Sequence, residues 1–199
     1  MGGTPEVNVE EIMRRAIAAA AIFGQLDQAQ TDRIVRAVFI AAFNERIRLA
    51  KMAQEETGIG RWEDKVMKNV LASQMVYEDI RHVKTVGVIA EDERLGIVEI
   101  AQPLGPIFAI APVTNPTSTV IFKILIALKT RNPLIIRPHR SAAKCSIEAA
   151  RICYEAALSE DAPEDCVQWV SDMSREETQA MMGHPRLALV LATGGGGLV

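Results

Sequence analysis

One polar loop carries residues that can stabilise developing charge. In Pro112-Val-Thr-Asn-Pro-Thr-Ser-Thr119, Asn115 precedes Pro116. Proline fixes its own φ and pushes the preceding residue out of the helical region, so Asn115 is expected to be rigid and extended. A carboxamide held in this way can donate a hydrogen bond to an oxygen that gains charge during a reaction. The alternative is that Asn115 and Thr117 only cap the next helix, since both residue types favour helix starts.

Two further segments offer groups that can bind a nucleotide. Arg137-Pro-His-Arg140 supplies a guanidinium for a ribose hydroxyl or a phosphate, although such pairs also occur in solvated loops. Thr193-Gly-Gly-Gly-Gly197 can bring backbone N–H groups close to a phosphate, and a following helix would add the positive end of its dipole. The chain ends at Val199 before such a helix, so the motif is expected to be incomplete, and a glycine-rich tail is the alternative.

The histidines and cysteines do not indicate a metal site or an activated thiol. The three histidines are His82, His139 and His184, and none of them has another histidine or a carboxylate at the spacing that metal ligands usually show. The cysteines are odd in number and lack a Cys-x-x-Cys pair, which fits a reducing cytoplasm rather than a disulfide framework. Cys145 and Cys153 lie on one predicted helix as core or interface residues, and Cys166 precedes a strand.

The elements that must position the polar segments alternate between strand and helix. The strands predicted from short apolar runs are Ile107–Ala111, Leu134–Ile136, Val167–Val170 and Leu187–Ala192. The helices predicted between them are Thr117–Lys129, Ala142–Leu158 and Arg175–Met182. Continuous apolar strands interleaved with amphipathic helices are typical of a doubly wound, mostly parallel α/β sheet, in which ligands collect beyond the carboxyl ends of the strands.

The chain is predicted to have three parts. Residues 1–84 read as a helical segment with two long helices, a stop near Gly58 and Gly60, and a third helix over 62–82. Residues 85–104 read as a protruding strand pair around an acidic turn, and residues 105–199 form the α/β part.

Charge and hydropathy exclude several classes of partner. The 22 basic and 25 acidic residues give a net charge of -3, which provides no broad attraction to nucleic acid or to an anionic membrane. The first residues lack the order of a secretory signal, and no apolar run reaches the roughly 18 residues that a membrane helix needs. We therefore expect neither a nucleic-acid nor a membrane partner.

Together these segments resemble the aldehyde dehydrogenase superfamily, specifically the CoA-acylating branch found at the N-terminus of bifunctional aldehyde-alcohol dehydrogenases. The most specific stretch is Thr114–Asn132, whose residues match the signature of that branch almost one for one. Three other segments support the resemblance in the same order along the chain: Leu49–Gly58, Glu63–Asn69 and Ala101–Ile107. The resemblance covers nearly the whole chain. It implies a cytoplasmic, NAD-dependent enzyme that acts on an aldehyde and CoA and forms a homo-oligomer through the strand pair.

The resemblance also implies roles for individual residues. Asn115 would hold, together with a backbone amide, the oxyanion of the thiohemiacetal and thioester intermediates. Pro112, Val113 and Thr114 would border the nicotinamide half of the cofactor. Arg137, Pro138 and His139 would contact the adenosine ribose. Thr193, Gly194 and Gly195 would lie against the pyrophosphate. Arg137 stands where many relatives have lysine, and Gly196 stands where relatives often have proline.

The implied reaction converts an aldehyde, CoA and NAD+ into acyl-CoA and NADH, or the reverse. Its nucleophile is a cysteine that the resemblance places beyond Val199, so this chain by itself is expected to be inactive. The incomplete sheet and phosphate loop predict weak cofactor binding by the isolated chain. Two alternatives remain open: a stand-alone acylating dehydrogenase for another aldehyde, and a naturally short, non-catalytic protein that binds nucleotide or joins an assembly.

Overall fold

The computed structural model describes residues 7–194, and its N-terminal half is helical as predicted. The helices of this half are α1 Val9–Phe23, α2 Gln28–Asn44, α3 Arg46–Thr57, α4 Trp62–Val70 and α5 Val76–Ile80, with a π-helical turn at Leu71–Met75 joining the last two. Asn8 caps α1, and Asp27 forms a reciprocal capping box with Gln30 at the start of α2. These caps satisfy N–H groups that have no partner inside a helix.

The second long helix predicted from the sequence is in fact two helices. Glu45, with φ -91° and ψ 3°, separates α2 from α3. Neither glycine nor proline marks this break, which explains why the apolar pattern alone did not reveal it. The predicted stop is confirmed, because Gly58 ends α3 with φ 66° in the left-handed region.

The strand pair is confirmed as an antiparallel unit of its own. β1 (Gly87–Asp92) and β2 (Ile97–Ala101) pair with an irregular register between Val88 and Ala90. Six apolar side chains along this pair or in its turn are at least 39% exposed, so neither face is covered: Val88, Ile89, Leu95, Ile97, Val98 and Ile100.

The predicted doubly wound parallel sheet is also confirmed. Its strands are β3 Ile107–Ile110, β4 Leu134–Arg137, β5 Val167–Trp169 and β6 Leu189–Ala192, in the order β5-β4-β3-β6, and every pairing is parallel. The helices of this half are α6 Pro116–Lys129, α7 Ala143–Leu158 and α8 Arg175–Met182, with a 3-10 turn at Arg140–Ala142. The last strand is two residues shorter at its start than predicted.

The central strand β3 faces two separate cores. Ile107 and Ala109 pack on one side with apolar residues of α2, α6 and α7, while Phe108 and Ile110 pack on the other side with residues of α1 and α8. Both faces of the sheet are therefore covered by helices, as its continuous apolar strands require. Within residues 7–194, no helix combines the length and the apolar character needed to cross a membrane.

Helix α7 receives its cap from a different helix. Its N-cap residue, Ala142, has no side chain that can cap. The carboxylate of Glu56 in α3 takes this role by accepting from the backbone N–H of Lys144 at 2.8 Å and of Cys145 at 2.7 Å. This contact fixes the start of α7 just beyond the Arg137–Arg140 segment.

We expect the Glu56→Ala variant to lower the free energy of unfolding by about 1–2 kcal/mol, because two N–H groups and the positive end of the helix dipole lose their partner. Urea denaturation measures the change. Glu55→Ala is the matched control, since Glu55 is an exposed carboxylate on the same turn. Its effect should stay within about 0.5 kcal/mol. Equal losses in the two variants would contradict the capping role.

Candidate active site

The carboxyl ends of β3, β4 and β6 open into one cavity. In the strand register Ile110 lies opposite both Arg137 and Ala192, so the three segments that follow these strands meet at the same level. The cavity has a volume of about 530 Å³. Its lining consists of Ile110, Ala111, Pro112, Val113, Thr114, Asn115, Thr119, Arg137, His139, Thr193 and Gly194.

Nearly all of the residues singled out from the sequence line this cavity. Pro138 does not, because it is buried between its two lining neighbours. Gly195 lies outside the residues that the structure describes. Two lining residues offer different chemistry: Asn115 carries a neutral carboxamide and Arg137 carries a guanidinium.

Asn115 occupies the N-cap position of α6, but its side chain does not cap the helix. The side-chain oxygen Oδ1 instead accepts a hydrogen bond from Lys68 Nζ at 2.7 Å. The amide nitrogen Nδ2 has Thr114 Oγ1 at 3.5 Å, too long for a strong hydrogen bond. Thr117 does not cap either, since its hydroxyl donates to Asn69 Oδ1 at 2.9 Å. Capping therefore does not account for the side chain of either residue.

The backbone of Asn115 agrees only in part with the prediction. Its φ of -134° is extended, but its ψ of 59° falls short of the extended region. Pro116 begins α6 and excludes the helical conformation before it, as expected. The side chain of Lys65 adds a further restraint because its Nζ donates to the carbonyl oxygen of Thr114 at 2.9 Å.

Lys65, Lys68 and Asn69 contact the candidate site but were not among the residues predicted from the sequence. All three lie on α4, and each contacts the loop that carries Asn115. Burial, with a smaller effect of the nearby Lys68 charge, lowers the pKa of Lys65. The signal for this group was their i, i+3, i+4 spacing, which places three polar side chains on one helix face.

Arg137 presents a guanidinium whose hydrogen-bonding capacity is not used up. Its Nη2 lies 3.5 Å from the carbonyl oxygen of Met173, and its buried Nε has no partner. Burial and, to a smaller extent, the charge of Arg140 lower its pKa. His139 is exposed, and its Nδ1 accepts from the backbone N–H of Ser141. A buried donor without a partner is costly, so Arg137 is suited to an oxygen-rich ligand in the cavity.

A buried lysine, Lys123, connects the two strands β3 and β6 next to the cavity. Lys123 Nζ donates to the carbonyl oxygen of Ile110 at 2.8 Å and of Leu191 at 2.6 Å, which joins β3 to β6 just below the cavity. Burial lowers the pKa of Lys123 to about 8. Thr193 follows β6, and its N–H donates to the same carbonyl of Ile110 at 3.3 Å.

None of the three cysteines can serve as a nucleophile at this site. Cys145, Cys153 and Cys166 are fully buried, and none of them lines the cavity. Burial raises the pKa of each thiol to about 12. Since the thiolate is the reactive form, these residues are structural, as the sequence indicated.

Comparisons with known proteins agree with this architecture. The model of the family described as "Aldehyde dehydrogenase family" matches residues 3–197. The bifunctional aldehyde-alcohol dehydrogenase of Escherichia coli K12 is 44% identical over the whole chain, which covers 22% of that protein. The chain thus spans about a fifth of the length of such curated relatives.

Two solved structures show the same likeness. The acetylating aldehyde dehydrogenase from Geobacillus thermoglucosidasius has a TM-score of 0.93 and 48% identity, over 96% of this chain and 42% of that one. The Rhodopseudomonas palustris propionaldehyde dehydrogenase with bound propionyl-CoA has a TM-score of 0.82 and 29% identity, over 98% of this chain and 43% of that one. The chain belongs to the aldehyde dehydrogenase family.

Proposed function

We propose that this chain is the N-terminal, cofactor-binding part of an NAD-dependent acylating aldehyde dehydrogenase. The reaction interconverts aldehyde, CoA and NAD+ with acyl-CoA and NADH. One observation carries the proposal. Asn115 lines the cavity at the carboxyl end of the parallel sheet, and its side-chain oxygen accepts a hydrogen bond from Lys68. The N–H donors of the Asn115 carboxamide therefore remain available to a ligand in the cavity. The names of the relatives, which include acetylating and propionaldehyde dehydrogenases, support the acylating branch.

The cavity residues fit a nicotinamide dinucleotide. A volume of about 530 Å³ is in the range of cofactor sites, and the unpartnered Nε of Arg137 marks a place for a hydroxyl or phosphate oxygen. In this proposal Arg137 and His139 hold the adenosine ribose. Thr193 and Gly194 approach the pyrophosphate through their backbone, and Pro112–Thr114 border the nicotinamide. The cofactor, when bound, accepts the hydride that leaves the substrate.

Asn115 acts on the oxygen of the reacting carbonyl. Attack by a thiolate turns that oxygen into an oxyanion, and a preorganised N–H donor stabilises the charge as it forms. The attacking thiolate belongs to a part of the complete protein other than this chain, because the three cysteines here are buried with raised pKa values. CoA then takes the acyl group from that cysteine.

The proposal also includes the division of the chain into three parts and the location of the protein in the cell. The helical part supports the cavity from α4, and the exposed apolar strand pair is the arm through which subunits form a homo-oligomer. The free cysteines support a location in the reducing cytoplasm.

The test is to produce the complete protein from its gene and to measure NADH formation with acetaldehyde, propionaldehyde, succinate semialdehyde and sulfoacetaldehyde. We expect NADH to form with at least one aldehyde only when CoA is present, with the matching acyl-CoA detected by mass spectrometry. Oxidation that proceeds equally well without CoA would refute the acylating assignment. Cofactor binding without turnover of any aldehyde would favour the non-catalytic nucleotide-binding protein instead.

A further inference from the structure

One face of α4 restrains the Asn115 loop at three successive points. Lys65 is buried and donates to the carbonyl oxygen of Thr114, and Asn69 is buried and accepts from the hydroxyl of Thr117. These two contacts fix the main chain on both sides of Asn115. The third contact, from Lys68 to the Asn115 side chain, lies between them.

The chemistry of lysine decides which way the Asn115 amide points. An ammonium group has three donors and no acceptor, so it can face only the carboxamide oxygen. The 2.7 Å contact from Lys68 Nζ to Oδ1 is therefore favourable in one orientation of the amide alone. Rotation of the Asn115 carboxamide by half a turn would place the N–H donors of Nδ2 against the N–H donors of Lys68 Nζ. The orientation that keeps this bond leaves Nδ2 on the opposite side of the carboxamide.

We propose that Lys68 is a positioning residue that holds the Asn115 oxygen and thereby directs the N–H donors of Nδ2 to the reacting oxygen. The inference rests on the proposed function. Lys68 is exposed, so a single hydrogen bond there would do little for stability. Its effect is on orientation, because the loop that carries Asn115 is already restrained by Lys65 and Asn69. The charge also polarises the carboxamide and strengthens its N–H groups as donors.

The kinetic test uses the complete enzyme and the Lys68→Met variant, which keeps the length of the side chain but removes charge and donors. We expect kcat to fall about 10-fold and KM for the aldehyde to change less than about 2-fold, since the lost interaction matters in the transition state. Lys68→Arg, which keeps charge and donors, should restore most of kcat. Lys84→Met, at an exposed lysine near the strand pair, is the control and should keep kcat.

A double-mutant cycle separates positioning from a general effect on the enzyme. If Lys68 acts through Asn115, Lys68→Met should change kcat less than about 2-fold when Asn115 is already alanine. The same 10-fold loss in that background would overturn the proposal. An unchanged kcat in the single variant, or a loss confined to KM, would overturn it as well.

A second measurement does not depend on catalysis. In the complete protein, labelled with nitrogen-15, the side-chain amide resonances of Asn115 should shift in the Lys68→Met variant and stay in place in Lys84→Met. If the complete protein turned over no aldehyde, the proposed function would fail while this measurement still tested the contact. Asn115 resonances that do not respond to Lys68→Met would refute the contact itself.

Discussion

The Asn115→Ala variant of the complete enzyme is expected to lose about 100- to 1,000-fold in kcat, the usual effect of removing one oxyanion donor. The loss should appear in kcat and in kcat/KM alike, because the donor acts on charge that exists only in the transition state. Steady-state kinetics with a substrate aldehyde and CoA measure both parameters. Asn44→Ala, at an exposed asparagine that ends α2, is the matched control and should leave kcat unchanged. A loss smaller than about 10-fold in Asn115→Ala would contradict the assignment.

The Asn115→Asp variant separates this role from helix capping. Aspartate caps a helix as well as asparagine does, so a capping residue would tolerate the change. It also keeps an acceptor for Lys68. A carboxylate cannot donate, however, and it brings negative charge next to the developing oxyanion. We therefore expect kcat to fall at least as far as in Asn115→Ala, while the midpoint of thermal unfolding stays close to that of the unchanged enzyme.

The sheet could be predicted from the sequence because its signal is local. Each parallel strand is a short apolar run, and each covering helix repeats its apolar residues at helical spacing. Because ligands collect beyond the carboxyl ends of parallel strands, the segments that carry Asn115 and Arg137 were both predicted to lie at the ligand site, and both residues line the cavity. The break at Glu45 was not predicted because neither glycine nor proline, the strongest helix-breaking residues, lies there.

The contacts that complete the site are not local. Lys68 lies 47 residues before Asn115 along the chain, and Lys65 lies 49 residues before Thr114. Nothing in the pattern of one segment says which distant helix packs on it. Lys123 is a further case: it stands within an apolar helix, where a lysine is expected to point to solvent, yet it is only 1% exposed. Two carbonyl oxygens at the ends of β3 and β6 explain its burial.

The burial of Lys123 predicts how stability depends on pH. Burial lowers its pKa from 10.5 to about 8, whereas in the unfolded chain the lysine keeps its ordinary value. Between these two values the unfolded chain binds a proton that the folded chain does not. The contribution of Lys123 to the free energy of unfolding therefore rises with pH across this window, by at most about 1.4 kcal/mol per pH unit. The neutral amine still has two N–H donors for its two carbonyl partners.

Comparison with the Lys123→Met variant isolates this effect. The buried cysteines act in the opposite direction, because their folded pKa values are raised from 9.0 to about 12. Their stabilisation is complete below pH 9.0 and is lost as the pH rises towards the folded values, but it is the same in both proteins and cancels in the difference. Urea unfolding from about pH 7 to about pH 10 should show the original chain gaining stability relative to Lys123→Met. A flat or falling difference would mean that Lys123 keeps its proton throughout this range.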